Sequence, residues 1–179
     1  MKTSSTSPWQ GRILFRLSLA SKAHNILELG SSLGISQAYL SLANKKAKVL
    51  SIEGDPKLAA LSRKNMEALL ISNSRIIEGA FDDKLEQCLN ELNGVDLAFI
   101  DGNHKYEPSL NYFNQILPYC HSNTILVFDD IYWSSEMKRA WNKIITDSRV
   151  SASVNLFHFG IVLFDQKMHG HHHILPKLF

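Results

Sequence analysis

Short apolar runs that alternate with longer amphipathic stretches constrain this chain more than any other feature. The runs at 25–30, 48–53, 75–79, 95–100 and 124–128 are rich in Ile, Leu and Val and show no clean polar alternation. Stretches with helical spacing separate the first four at 35–44, 56–71 and 82–92, and two more lie at 108–117 and 135–146. Strand, helix and strand in succession make a parallel pair, so the repetition predicts a parallel sheet with helices on both faces. The ending departs from this rhythm. The runs at 153–159 and 161–165 are separated only by Gly160. A parallel pair needs a crossover of a dozen residues, so these two are expected to be antiparallel neighbours.

Local signals refine the outline. A helix is expected over 11–23, carried by Ile13, Leu14 and Leu17, after a loose polar arm at 1–8 that stops at Pro8. Pro56 suits the first turn of a helix, where its missing N–H costs nothing. Ser32 or Ser36 is expected near the start of the helix at 35–44. The chain reads as a single domain over 1–179, with an arm and helix at 1–23 and a His-rich tail at 166–179.

Composition narrows the class. The length of 179 residues, with 45% apolar and 20% charged residues, suits one compact core. Lys and Arg number 19 against 17 Asp and Glu, and a net charge of +2 is too mild to indicate a nucleic-acid binder. Lys45, Lys46 and Lys48 read as a solvated turn, and no Asn/Asp-Pro-Pro-Tyr motif is present. Cys88 and Cys120 cannot form a disulfide framework, which favours a reducing, cytoplasmic setting. No run approaches the ~18 apolar residues of a membrane span, and the first residues lack an apolar signal core.

In open α/β sheets ligands bind beyond the carboxyl ends of the strands. Acidic residues gather at those ends here: Glu28, Glu53, Asp101, Asp129 and Asp130. Such residues often only cap the next helix, but several on one rim repel unless a cation, a proton or a hydroxylated ligand intervenes. Gly30 and Gly34 frame a turn that opens a helix, without the G-x-G-x-x-G or Walker A pattern. Glu53, at the end of the second strand, stands where a carboxylate accepts from ribose hydroxyls. An adenosine-containing ligand follows from that arrangement.

These residues resemble the class I S-adenosylmethionine-dependent methyltransferases, and within them the catechol O-methyltransferase-like branch. Glu28 to Gly34, ELGSSLG, looks like the first motif of that superfamily, with Ser32 in place of the middle glycine. SIEGD, ending at Asp55, resembles the second, and DLAFIDGNH (Asp96 to His104) and ILVFDD (ending at Asp130) resemble the later ones. The resemblance spans about residues 24–165. It implies a Rossmann-like three-layer sandwich whose mostly parallel seven-stranded sheet, order 3-2-1-4-5-7-6, ends in an antiparallel last strand. It also implies S-adenosyl-L-methionine as cofactor. Gly30, Ser31, Ser32 and Gly34 would line its methionine part, Glu53 would hold the ribose, and Gly79, Ala80 and Phe81 would lie by the adenine. Glu28 would act through the loop backbone or on the cofactor's amino group. Asp101 joins the cofactor-binding set.

Catechol-type members hold a divalent cation at the ends of the fourth and fifth strands, and the matching positions are Asp101, Asp129 and Asp130. Asp130 stands where those enzymes have Asn. All three are hard oxygen donors suited to Mg²⁺ or a similar ion. With Asp101, His104 is the catalytic candidate, a general base for an acceptor hydroxyl; its bland reading is a loop histidine that shapes the turn. Tyr132 and Trp133 would wall an acceptor or pack in an interface, and Trp141 reads as core. The expected acceptor is a small molecule or a glycan, with no membrane partner. Only residues 1–24 precede the first strand, so the acceptor site is expected to be open, completed by a neighbouring subunit, or shaped for a large acceptor. Trp9, Phe15 and Phe179 would find cover in a homodimer. His169, His171, His172 and His173 form a metal-prone, solvent-exposed run. Two rival functions remain: a non-catalytic binding protein that kept this fold, and a nicotinamide-linked oxidoreductase.

Overall fold

The computed structural model describes residues 6–174. Its elements run α1 (Pro8–Ser21), β1 (Asn25–Leu29), α2 (Ile35–Ala43), β2 (Lys48–Glu53), α3 (Pro56–Ala68), β3 (Ser74–Glu78), α4 (Phe81–Leu92), β4 (Val95–Ile100), α5 (Tyr106–Ile116), β5 (Cys120–Phe128), α6 (Ser135–Ile145), β6 (Ala152–Asn155), β7 (Gly160–Leu163) and β8 (Gly170–His173). The strands form one sheet in the order β3-β2-β1-β4-β5-β7-β6-β8. The first five strands are parallel. β7 runs against both of its neighbours, β5 and β6. The connection from β6 is the short stretch 156–159, too short for a parallel crossover, and Gly160, expected to separate the two runs, is itself the first residue of β7.

The unbroken apolar character of β1 and β4 follows from their central place. Ile26, Leu27, Leu29, Leu97, Ala98 and Phe99 are all fully buried. On one face of the sheet, α4, α5 and α6 bring Leu85, Leu89, Tyr112, Ile116 and Trp141 against it. On the other, Leu14 of α1 and Leu40 of α2 pack with Phe99, Val127 and Phe159. α3 joins α2 there through Ala59, Met66 and Ala38. This three-layer sandwich leaves the carboxyl ends of the parallel strands on one rim.

The structure corrects several boundaries. α1 begins at Pro8, three positions before the expected Gly11, because Ser7 and Gln10 form a reciprocal capping box. The Gln10 N–H donates to Ser7 Oγ at 3.3 Å, and the Ser7 N–H donates to Gln10 Oε1 at 2.9 Å. The arm expected at 1–8 therefore ends in a fixed cap, and residues 1–5 lie outside the described residues. Ser36 is the second residue of α2, near its start as expected, and Gly34, in a left-handed conformation, holds the N-cap position. α5 starts at Tyr106 and takes Pro108 in its first turn, where no intrahelical N–H is needed. β5 reaches back to Cys120 because a register shift between Val95 and Leu97 accommodates the extra residues.

The sheet has eight strands among the described residues, one more than expected. Part of the His-rich tail forms β8 beside β6, in parallel register. Trp9, one of the residues expected to need an intermolecular cover, packs near Phe159 with ring centroids 6.3 Å apart. Phe179 lies outside the described residues.

Candidate active site

Two cavities open on the rim at the carboxyl ends of the strands. The first, about 540 Å³, is lined by Gly30, Ser32, Glu53, Ala80 and Phe81 on one side and by Asp101 and His104 on the other. The second, about 530 Å³, is lined by Ser7, Trp9 and Gln10 of the α1 start and by Tyr132, Phe157 and His158. Asp130 and Trp133 line both.

Backbone geometry builds the first cavity. Gly30 has φ +95°, and a Cβ there would lie 2.0 Å from the Asp101 carbonyl oxygen, so the turn after β1 and the end of β4 can meet only at glycine. Ser32 continues the turn at φ 46°. Its N–H donates to Glu53 Oε2 at 2.7 Å, and the Asp55 N–H donates to Glu53 Oε1 at 2.9 Å. Each carboxylate oxygen keeps a further lone pair for a ligand hydroxyl. A nucleoside with a free diol fits this cradle.

The expected cofactor residues divide into two groups. Gly30, Ser32, Glu53, Ala80, Phe81 and Asp101 face the cavity; Glu28, Ser31, Gly34 and Gly79 are not among its lining. Glu28 is buried within β1, where its Oε2 accepts from Ser51 Oγ and its Oε1 has no partner. Burial pushes its carboxyl up to about 7, with lesser contributions from Asp101 and Glu53. Ser31 is buried with its hydroxyl unpartnered. Gly34 backs onto Ser62 and Met66 rather than the cavity. The Gly79 N–H donates to the Glu53 carbonyl at 2.9 Å and so joins the ends of β2 and β3.

The acidic trio is brought to one rim but not into a ligand cluster. Asp101 and Asp130 face the first cavity, whereas Asp129 is 7% exposed and turned inward. Its Oδ1 accepts from Gln10 Nε2 at 3.2 Å and from the Asp130 N–H at 2.8 Å. Among the described residues no group of three or more His, Cys, Asp or Glu side chains is placed to hold a metal ion. The donor types suit a hard divalent cation; their present arrangement is not a coordination shell. Burial, then the charges of Asp101 and Asp130, push the Asp129 carboxyl well above the usual range.

His104 lines the first cavity together with Asp101 and Asp130. Its Nε2 is 3.4 Å from Asp101 Oδ1. Burial disfavours its charged form, but the Asp101 hydrogen bond and the charges of Asp101, Asp130 and Asp129 outweigh that and raise its pKa. Its carbonyl accepts from Ser134 Oγ at 3.3 Å, which ties the loop after β4 to the start of α6. Tyr132 and Trp133 do wall a cavity, and Trp141 is buried core. Sequence reasoning missed Gln10, Asn155, Phe157 and His158. The capping pair Ser7/Gln10 and the tract Asn155–Gly160, with two aromatics and a histidine before a glycine, were the signals available.

The profile of the family described as "Methyltransferase domain" matches residues 27–131. A protein named catechol O-methyltransferase from Niastella koreensis is 36% identical over 134 residues, covering 73% of this chain and 60% of that protein. An uncharacterized protein of Acanthamoeba polyphaga mimivirus is 35% identical over 132 residues, covering 68% of this chain and 59% of that one. The chain thus spans 60% and 59% of the length of these curated relatives. The crystal structure of an O-methyltransferase from Bacillus cereus in complex with SAH superposes with a TM-score of 0.76 at 25% identity, covering 90% of this chain and 83% of that one.

Proposed function

The chain belongs to the methyltransferase-domain family, and on that premise we propose that it transfers a methyl group from S-adenosylmethionine to a hydroxyl oxygen of a small acceptor. The observation that carries this reading is the meeting of two cavities at Asp130 and Trp133. One offers a carboxylate and a glycine turn suited to a nucleoside; the other offers aromatic walls suited to a flat acceptor.

In this reading Glu53 accepts from the ribose hydroxyls, Ala80 and Phe81 flank the adenine, and the Gly30–Ser32 turn accommodates the methionine part. Bound S-adenosylmethionine supplies a methyl group already activated on a sulfonium sulfur. The residues then have two tasks: to align the acceptor oxygen and to remove its proton. Trp9, Tyr132, Trp133 and Phe157 orient the acceptor. His104 takes its hydroxyl proton on the ring nitrogen that does not face Asp101, and Asp101 steadies the imidazolium.

A divalent cation of the Mg²⁺ class is the finer part of the proposal. Asp101 and Asp130 would hold it with Asp129 behind them, and it would lower the pKa of the acceptor hydroxyl. The hard oxygen donors of Asp101 and Asp130, both facing the first cavity, support it. No helix of the described residues is long and apolar enough to cross a membrane. Free Cys88 and Cys120 suit a reducing compartment such as the cytoplasm.

The test is calorimetric titration of the full chain with S-adenosylmethionine, with and without Mg²⁺, followed by mass detection of methylated catechol. Saturable binding and a methylated product are expected, with more product when Mg²⁺ is present. Absence of binding by the folded chain overturns the reading. Binding with no product from catechol or other diols overturns the acceptor assignment and favours a non-catalytic role.

A further inference from the structure

We propose that β8 carries a transition-metal site of its own, formed by His171 and His173 and separate from the rim acids. The strand is the exposed edge of the sheet, hydrogen-bonded to β6 on one side only. Its parallel register sets Ser153 beside His171, Val154 beside His172 and Asn155 beside His173. Side chains alternate along a strand, so His171 and His173 share one face and His172 points to the other.

The ring of His171 is already oriented. Its Nδ1 lies 2.9 Å from the hydroxyl of Ser153, which is itself almost fully buried. With Nδ1–H donating to that hydroxyl, Nε2 is the nitrogen left to bind a metal, the arrangement by which hydrogen-bonded partners prepare a metal-binding imidazole. Residues two apart on a strand are separated by about 6.6 Å along the chain, a spacing that two imidazoles can close around one ion at about 2.0–2.1 Å. The ring of His172 instead folds back toward Gly170, its Nε2 lying 3.6 Å from where a Cβ on that glycine would sit. Two neutral nitrogen donors select Zn²⁺, Cu²⁺ or Ni²⁺ over Mg²⁺. Solvent fills the remaining positions, as no third His, Cys, Asp or Glu among the described residues joins the pair.

Zn²⁺ titration of the full chain by calorimetry, in excess Mg²⁺ to occupy hard oxygen donors, tests this directly. One Zn²⁺ per chain is expected. His171→Ala and His173→Ala should each weaken it about tenfold or more, and Ser153→Ala about tenfold through the ring it orients. His172→Ala and His169→Ala should bind as the parent does. All the histidines concerned are exposed. Thermal melts without metal should coincide with the parent for His169→Ala, His172→Ala and His173→Ala, whereas His171→Ala also removes the partner of the buried Ser153 hydroxyl. Absence of Zn²⁺ binding overturns the site. So does a loss in His172→Ala or His169→Ala equal to that in His171→Ala, because the metal would then follow a flexible histidine tract and not one face of a strand.

Discussion

The Ser32 N–H donates to Glu53 Oε2 at 2.7 Å, so the turn after β1 is held by the residue that closes β2. One carboxylate thereby shapes the loop and faces the cavity. Glu53→Gln exchanges one of its acceptor oxygens for a donor that opposes the N–H of Ser32 or Asp55. Affinity for S-adenosylmethionine should fall about ten- to a hundredfold, the worth of one or two charge-assisted hydrogen bonds. Calorimetric titration checks this. Unchanged affinity would remove Glu53 from the cofactor site.

Gly30 and Gly94 allow a paired test of the close approach. Both have positive φ, +95° and +139°, but a Cβ on Gly94 meets nothing within 4 Å. Gly30→Ala and Gly94→Ala should each lose about 1–3 kcal/mol of stability from backbone strain. Only Gly30→Ala also drives a methyl group into the Asp101 carbonyl, a backbone atom that cannot step aside. Cofactor binding should be lost in Gly30→Ala and kept in Gly94→Ala, as read by denaturant unfolding together with titration.

The legible parts of this molecule are those set by periodicity. Five parallel strands and their covering helices were visible because buried strands read as continuous apolar runs. The rim acids were visible because strand ends can be counted. The start of α1 was hidden because a capping box between Ser7 and Gln10 lies in a polar stretch that hydrophobic periodicity cannot register. β8 was hidden for a related reason: an edge strand of Gly and His has no apolar face to announce it. The inward turn of Asp129 depends on Gln10, 119 residues away, and no local pattern encodes that contact. Glu28 lay in the expected motif, yet its burial within the sheet removed it from the cavity lining.

Glu28 should imprint a pH dependence on stability. Its carboxyl rises from 4.5 to about 7 in the folded chain because burial disfavours the charge. Between these values the folded state holds a proton that the unfolded state has released. Stability from this group is therefore greatest at or below pH 4.5, declines as pH rises toward 7, and is flat above it. The full difference is roughly 3 kcal/mol. Glu28→Gln cannot titrate and should lack this slope, so its stability relative to the parent should increase between pH 5 and pH 8. Urea unfolding of both proteins across that range measures the difference, and parallel curves would contradict it.

Asn155 should govern the acceptor wall without touching the cofactor. Its Nδ2 donates to the Tyr132 hydroxyl at 2.6 Å, and its Oδ1 accepts the Phe157 N–H at 2.9 Å. Phe157 is held at φ 71°, a conformation a bulky residue adopts only under restraint. The two aromatic rings so fixed lie 5.5 Å apart and line the second cavity. Asn155→Ala releases both rings at once. On the proposed O-methyl transfer, the KM for the acceptor should rise several-fold, while the affinity for S-adenosylmethionine stays at the parent value. Asn155→Asp should recover much of the loss, since its carboxylate still accepts the Phe157 N–H and the Tyr132 hydroxyl can turn to donate to it. A merely structural role would lower both affinities together and would not be rescued in this order. Steady-state kinetics set beside cofactor titration distinguish the two.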